Sequence, residues 1–324
     1  MRCLLELHPL IPPAGQGICP RVLARLRLIT HLLRRHPGLI PLLTIAFISL
    51  CGVARAQGGP PFKTDDPETP GNKHWEINFG WLGERSAGEG SYSVPDVDLN
   101  YGLGDRIQLK FELPIVIHEI RQLPGEAGQI TPATQARLEL GAGESLLGVK
   151  WRFYEHRMRS PGILPSEEEP AEPNLSISTY PQLSLNNPTS SVERAVVTNG
   201  PQFLFPIEAN ARVGPIRIDG EVGYWFTNRD VPQSWIRGMI VGYEFTKSTE
   251  AYAELYDQQD ANRVDGVAKG REATLGLGGR HAMNKKRSVL LLLMGGRSFQ
   301  KVAPDNLQPS WIAYVGVQFL LGPK

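Results

Sequence analysis

Residues 106 to 118 read RIQLKFELPIVIH, and this stretch decides the fold. Every odd position holds a branched or aromatic hydrophobe, whereas the even positions carry mostly charged or amide side chains. A period of two predicts a β-strand, because successive side chains of a strand point to opposite faces. Strands of soluble domains usually run about 5 to 6 residues, whereas about 9 to 11 tilted residues cross a bilayer. The length of the stretch therefore favours a strand that spans a membrane.

Further segments of period two follow one another from His74 to the end of the chain, and we count twelve strands. Gly and Pro interrupt nearly every window that could hold a helix of three turns. The sequence therefore predicts an all-β fold, an antiparallel up-and-down transmembrane β-barrel of about 12 strands.

Loop lengths give a second test, since outer-membrane barrels alternate long external loops with short periplasmic turns. We expect external loops that include residues 119–143 and 298–309, and periplasmic turns that include 102–105 and 207–211. The segment 157–173 is too long for a periplasmic turn, which indicates an insertion or a miscounted strand.

Charge and cysteine content differ between the first 56 residues and the rest. Seven of the 34 basic residues and one of the 33 acidic residues lie there, which leaves 27 against 32, a net charge of −5 downstream. This balance argues against a nucleic-acid partner, which requires a basic face. All three cysteines, Cys3, Cys19 and Cys51, also lie in this segment. A chain trimmed after it would have no disulfide and no catalytic thiol.

The first 56 residues resemble a secretory signal with an over-long N-terminal prefix. Arg34 and Arg35 precede an apolar run from Leu39 to Leu50, and Ala54-Arg55-Ala56 has the small-residue pattern of a cleavage site. A buried core helix is the alternative for the apolar run. We expect cleavage after Ala56, a flexible acidic and Pro-rich leader over residues 57–73, and a barrel over residues 74–324.

The polar faces of the strands are expected to line the lumen, because charge on the lipid face is costly. A barrel of this size has room for a narrow channel or a ligand site, although the same charges could form a closed network of ion pairs. The predicted lumen residues are Glu76, Asp96, Asp98, Arg106, Lys110, Glu112, Lys150, Arg152, Arg217, Asp219, Glu221, Glu250, Glu254, Glu272 and Arg280. Aromatic residues near strand ends, among them Trp75, Trp225 and Trp311, are expected in the interface girdles.

The segment PPFKTDDPE at residues 60–68, followed by His74-Trp75-Glu76, resembles the start of the mature region in a family of outer-membrane proteins named for the MetA pathway of phenol degradation. The resemblance extends along the whole mature chain. It implies an outer-membrane β-barrel transporter and does not imply a phenolic substrate. The last strand, with Tyr314, Gly316, Phe319 and Leu321, is similar to the C-terminal assembly signal of such barrels, although the chain ends in Gly-Pro-Lys.

Residue patterns for covalent chemistry are weak. Asp65, Asp66 and Glu68 could bind a divalent cation, but they lack the alternating spacing of a calcium loop, and a solvated acidic leader is favoured. The glycines from Gly276 to Gly279 lie within a strand and not at the start of a phosphate-binding helix. The downstream histidines are isolated, so no metal site, cofactor or catalytic residue is predicted. A triad assembled across strands stays open as an alternative.

Three functional hypotheses follow. The first is an outer-membrane channel for small molecules, hydrophobic or aromatic ones included, without enzymatic activity. The second is a structural or surface-interaction barrel with a plugged lumen, whose loop at 119–143 carries the function. The third is a soluble periplasmic ligand-binding barrel, which would need a polar outer face. For the first, the expected partners are outer-membrane lipid, the barrel-assembly machinery and a small-molecule solute.

Overall fold

A computed structural model describes residues 60–120, 137–156, 174–186, 189–194, 196–227, 231–261, 270–303 and 306–323. The predicted signal with its cleavage site at Ala56, the insertion at 157–173 and most of the loop at 119–143 lie outside these ranges. Within them, no helix is both long and apolar enough to cross a membrane. The one helix among the described residues, α1, is a single turn over Thr189–Glu193.

Fourteen β-strands make one antiparallel sheet. They are β1 Trp75–Arg85, β2 Glu89–Leu103, β3 Ile107–Ile120, β4 Arg137–Ala142, β5 Glu144–His156, β6 Leu175–Thr179, β7 Gln182–Asn186, β8 Gln202–Val213, β9 Ile216–Phe226, β10 Ser234–Thr246, β11 Thr249–Asp260, β12 Arg271–Ala282, β13 Val289–Ala303 and β14 Asn306–Leu321.

Two pairs of these segments each form one interrupted strand of the barrel; we call each full-length strand position of the barrel wall a stave. Both β4 and β5 pair with β3, and only Gly143 separates them. Both β6 and β7 lie between β5 and β8, and the break falls at Tyr180-Pro181. The sheet closes where β1 pairs with β14, from Trp75 opposite Leu321 to Arg85 opposite Trp311. The fold is a closed antiparallel β-barrel of twelve staves, which confirms the predicted class and strand number.

The break between β4 and β5 has a local cause. Pro114 of β3 lies opposite Gly143, and a proline cannot donate a hydrogen bond to the ladder. The Gly143 amide donates instead to the Pro114 carbonyl at 2.8 Å. A Cβ at position 143 would lie 2.6 Å from Cγ of Pro114, so the close approach requires glycine.

The hairpins differ from the sequence expectation in three places. Residues 137–142, expected within the loop at 119–143, form β4 and pair with β3. Residues 207–211, expected as a turn, belong to β8, and the chain reverses at Gly214 and Pro215. Gly214 has φ +58°, a value that favours glycine. Residues 298–309, expected as a long loop, mostly belong to β13 and β14, whose pairing continues from Ser298 opposite Ser310 to Lys301 opposite Leu307. Polar side chains at these strand ends interrupt the alternation of apolar and polar residues, so the sequence alone does not reveal that the strands continue.

The outer face of the barrel is apolar, as a transmembrane barrel requires. Large hydrophobic side chains point away from the lumen and are exposed on the isolated barrel: Phe79, Leu109, Phe111, Leu147, Val149, Ile218, Met239, Val241, Leu255, Leu275, Leu277 and Val315. The soluble alternative needs a polar outer face, so it is wrong.

We call the end of the barrel that holds the hairpin turns at 104–106 and 214–215 the short-turn end. The opposite end, at which β3 leads to β4 and β11 leads to β12, is the long-loop end.

Candidate functional site: the barrel lumen

The lumen holds the segment that precedes β1, residues 60–73, which we call the leader. Thr64 is fully buried and Asp66 is 1% exposed. The leader joins the wall at the short-turn end, where the Lys73 amide donates to the Gly102 carbonyl and the Gly102 amide donates to the His74 carbonyl, both at 2.9 Å. The expectation of a solvated acidic leader is therefore wrong for Asp65, Asp66 and Glu68, whereas Asn72 and Lys73 are exposed. Buried carboxylates need paired cations, and the sequence alone did not show that the wall supplies them.

Lys150 of β5 is the first cation that holds the leader. Its Nζ lies 2.8 Å from Oδ1 of Asp65 and also donates to the backbone carbonyl of Asp66. The same ammonium lies 3.6 Å from Oε2 of Glu208 on the wall and 4.5 Å from the centre of the Tyr180 ring. Its side chain is only 2% exposed. Lys150 therefore joins the leader to its own strand, to the break at Tyr180 and to β8.

Arg217 of β9 is the second cation. Its guanidinium pairs with the carboxylate of Asp66, and its Nη1 lies 3.6 Å from Oε1 of Glu68. The Nε of Arg217 donates to the Asp219 carboxylate at 2.8 Å, which fixes the guanidinium against the wall. Both cations pair with Asp66, Lys150 also pairs with Asp65, and Arg217 also pairs with Glu68. The three acidic residues of the leader are therefore held by ion pairs to the wall and are not a cation site.

The leader also fits the shape of the wall. Thr64 lies against Gly238 of β10, where any Cβ would be 2.2 Å from the Thr64 Oγ1. The Thr64 amide donates to the Glu254 carboxylate at 2.7 Å, and the Asp65 amide donates to Glu221 at 3.0 Å. Toward the short-turn end, the Thr69 hydroxyl donates to the carbonyl of Asp105 at 2.8 Å.

Farther toward the long-loop end, Lys63 pairs with Glu272 of β12. The leader therefore runs along the barrel axis from the short-turn end, where Thr69 meets Asp105, into the half of the lumen nearer the long loops.

The predicted lumen residues lie on the inward face of the staves, with one exception. Arg106 precedes β3, its side chain is 56% exposed, and it lies 3.6 Å from Glu155 at the rim. The prediction that Arg106 lines the lumen is therefore wrong, because β3 begins at Ile107, one residue later. The residues on the inward face are Glu76, Asp96, Asp98, Lys110, Glu112, Lys150, Arg152, Arg217, Asp219, Glu221, Glu250, Glu254, Glu272 and Arg280. Whether they contact a solute stays a prediction.

Several of these wall charges pair with one another. The Lys110 ammonium lies 3.0 Å from Glu112 and 3.4 Å from Asp98. The guanidinium of Arg280 lies 2.7 Å from Glu250. The lumen thus contains much of the ion-pair network that the sequence analysis left as an alternative.

One sector of the inner wall is apolar, which the polar-inward pattern did not predict. Leu290, Leu292 and Met294 of β13 and Ile312 and Tyr314 of β14 form a buried cluster, and Phe62 of the leader packs against it. The continuous apolar run of β13 was the available sequence signal. Tyr314 lies along the wall because Gly80 and Gly316 leave room, since a Cβ at either position would be within about 2.5 Å of its hydroxyl.

A second apolar group includes Leu204, Ile236 and Tyr256, with Trp225 packed against it. Trp225 therefore faces the lumen and is not part of an interface girdle. Trp75 and Trp311 are 43% and 64% exposed on the outer face, as the girdle prediction requires.

A cavity of about 250 Å³ lies between the leader and the long-loop half of the wall. The leader closes one side with residues 60–63 and Asp65. The two apolar groups supply a second side, and Asp96, Lys110, Glu112 and Glu221 supply a polar side. Across the described ranges, no group of three or more His, Cys, Asp or Glu side chains could hold a metal ion. The cavity can thus hold a small molecule, and its walls offer both apolar surface and charge.

Comparisons with known proteins concern the fold. No protein-family model and no curated protein matches the sequence. The COG4313 outer membrane channel from Pseudomonas putida F1 matches with a TM-score of 0.55 and 13% identity, over 82% of this chain and 100% of that one.

Two other solved structures match less well. The KdgM porin in complex with disordered oligogalacturonate gives a TM-score of 0.43 and 9% identity, over 75% of this chain and 98% of that one. The CymD monoaromatic hydrocarbon channel gives 0.39 and 8%, over 78% and 89%. The likeness to the COG4313 channel shows the barrel fold alone.

Proposed function

We propose that this protein is an outer-membrane channel for small molecules, whose lumen is occluded by the leader until the leader shifts. The observation that carries the proposal is the cavity of about 250 Å³ that the leader shares with the inner wall. A barrel that served only as a rigid anchor would have no need for such a space. The COG4313 outer membrane channel, whose barrel fold this chain shares, is a protein of the proposed class.

The leader is suited to a movable occlusion because its contacts with the wall are mostly ionic and polar. Lys150 and Arg217 hold it through Asp65, Asp66 and Glu68. Each of these groups has a second partner on the wall or in the leader. Glu208 is such a partner for Lys150, and Asp219 is one for Arg217. The wall cations would therefore keep a counter-charge if the leader left.

Solute entry into proteoliposomes tests the proposal. The mature protein, refolded into vesicles, is compared with a variant that lacks residues 60–70, and swelling rates are measured for neutral solutes of increasing size. We expect slow swelling with the intact leader and faster swelling, with a size limit, without it. A leaderless barrel that is folded, as shown by heat-modifiable migration in gels, but passes no solute would overturn the channel proposal.

A second candidate is a closed structural or surface-interaction barrel, and the leader inside the lumen is the observation that favours it. This reading predicts that the leaderless variant remains silent in the swelling assay. Removal of loop residues between 121 and 136 would then abolish binding to the surface partner while leaving the barrel folded.

The cellular route belongs to the same proposal. We infer export by the signal at residues 1–56, assembly by the barrel-assembly machinery, an outer-membrane location, and kinship with the MetA-pathway family that the leader motif resembles. Enzymatic activity has no place in this proposal. N-terminal sequencing of the protein from isolated outer membranes tests the route, and Gln57 is the expected first residue. A protein that retains residues before Ala56, or that fractionates with soluble proteins, would contradict it.

A further inference from the structure

The cavity between the leader and the wall is asymmetric, and this asymmetry indicates what it binds. We propose that it is a binding site for a small molecule with an aromatic or aliphatic body and an ammonium head. The inference deepens the channel function and rests on it for the route of entry, but binding can be measured without transport.

The apolar side would contact the body of the ligand. Trp225, Ile236 and Tyr256 lie on one part of the wall, and Met294 and Tyr314 lie on another. A cavity of about 150 Å³ is enough to hold benzene. This cavity of about 250 Å³ therefore accommodates one ring and a short chain that ends in a polar group.

The polar side is acidic. Four carboxylates line the cavity, those of Asp65, Asp96, Glu112 and Glu221, against the two ammonium groups of Lys63 and Lys110, which leaves a formal charge of −2. Lys63 pairs with Glu272, Lys110 lies between Asp98 and Glu112, and Asp65 pairs with Lys150. Among the described residues, Asp96 and Glu221 are the lining carboxylates that carry no ion pair. The uncompensated charge favours a cation.

Asp96 is the residue that we expect to meet the ammonium group. Its Oδ1 is buried and accepts no hydrogen bond from any part of the chain that the structure describes. Asp96 of β2 pairs in register with Gly80, over which the Tyr314 ring lies. Asp96 and Tyr314 both line the cavity, so a cation held there can interact with the carboxylate and with the ring.

Isothermal titration of the detergent-refolded mature protein with three probes of similar size tests the inference. They are 2-phenylethylamine, 2-phenylethanol and 3-phenylpropionate. Because a charge-assisted hydrogen bond is stronger than a neutral one, we expect the amine to bind about tenfold or more tightly than the alcohol. The carboxylate should not bind detectably. Equal affinities for amine and alcohol, a preference for the carboxylate, or no binding of the amine would each overturn the proposal.

Asp96→Asn keeps the size of the side chain and removes its charge, so it should weaken amine binding about tenfold and leave alcohol binding unchanged. Glu139→Gln is the matched control, because Glu139 pairs with Arg137 on β4, away from the cavity. Amine binding that is insensitive to Asp96→Asn would also overturn the proposal. If the leaderless barrel passes solutes but the amine does not bind, the ligand class alone is wrong. If the amine binds but the leaderless barrel is silent, the channel alone is wrong.

Discussion

The ammonium of Lys150 lies 2.8 Å from the carboxylate of Asp65, although 85 residues separate the two in sequence. The contact joins the leader to the wall inside the lumen, where Lys150 is nearly inaccessible. A buried ion pair is weak evidence of stability by itself, but the loss of one partner leaves an uncompensated charge. The position of the leader should therefore depend strongly on this lysine.

Replacement of Lys150 by methionine should destabilise the barrel by about 3 to 5 kcal/mol, since Asp65, Asp66 and Glu208 lose their shared cation. Urea unfolding in lipid vesicles measures the change. Arg106→Ala is the control, because the Arg106 pair with Glu155 is exposed at the rim and should contribute about 1 kcal/mol or less. A similar loss of unfolding free energy in the two variants would contradict the role of Lys150 in holding the leader.

Gly238→Ala should displace the leader, because the new Cβ would collide with Thr64. Overpacking of this kind costs about 1 to 3 kcal/mol, so residues 60–73 should become more sensitive to added protease. The control is Gly220→Ala on the neighbouring strand, where the nearest atom to a Cβ is 3.9 Å away.

The double variant Gly238→Ala with Thr64→Gly removes the side chain that collides, so it should restore protection of the leader. Cleavage is located by mass spectrometry. Equal cleavage in the Gly238 and Gly220 variants would show that the leader does not lie against β10.

Leu277→Arg should lower stability by about 2 to 4 kcal/mol, since Leu277 lies near the middle of β12 on the lipid face and is 63% exposed on the isolated barrel. Val213→Arg is the comparison, because Val213 is the last residue of β8, and charge near the interface costs about 0 to 1 kcal/mol. Heat-modifiable gel migration after reconstitution gives the unfolding midpoint. A Leu277 variant as stable as the Val213 variant would contradict the membrane-spanning placement.

Much of the barrel could be predicted because side-chain alternation is a local property. The odd and even positions of 106–118 separate cleanly, and the same separation on other strands gave the twelve staves and the inward charges. The prediction of a turn at 207–211 was wrong. Pro206 and the polar residues after it suggest a chain reversal, whereas the pairing of β8 with β9 continues to Val213. Glu208 was missed as a lumen residue for the same reason.

The leader could not be placed from the sequence. Its composition is that of a solvated segment, and the cations that bury it lie on strands 85 and 151 residues away. The small inner-wall positions that receive it, such as Gly238, carry no local signal of that role. The apolar sector was partly visible in the unbroken hydrophobic run of β13, but Trp225 was misassigned because an aromatic near a strand end fits either an interface or a lumen.

Zero-length cross-linking of the mature wild-type protein tests the placement of the leader most directly. A carbodiimide joins a lysine to a carboxylate only when the two are in contact, and Lys63 and Glu272 form such a pair while both remain about a quarter exposed. Mass spectrometry of the digested protein should show the leader peptide joined to the β12 peptide, and Lys63→Arg should abolish this product. A leader peptide that is recovered only unlinked, or linked to residues outside the lumen, would contradict the account.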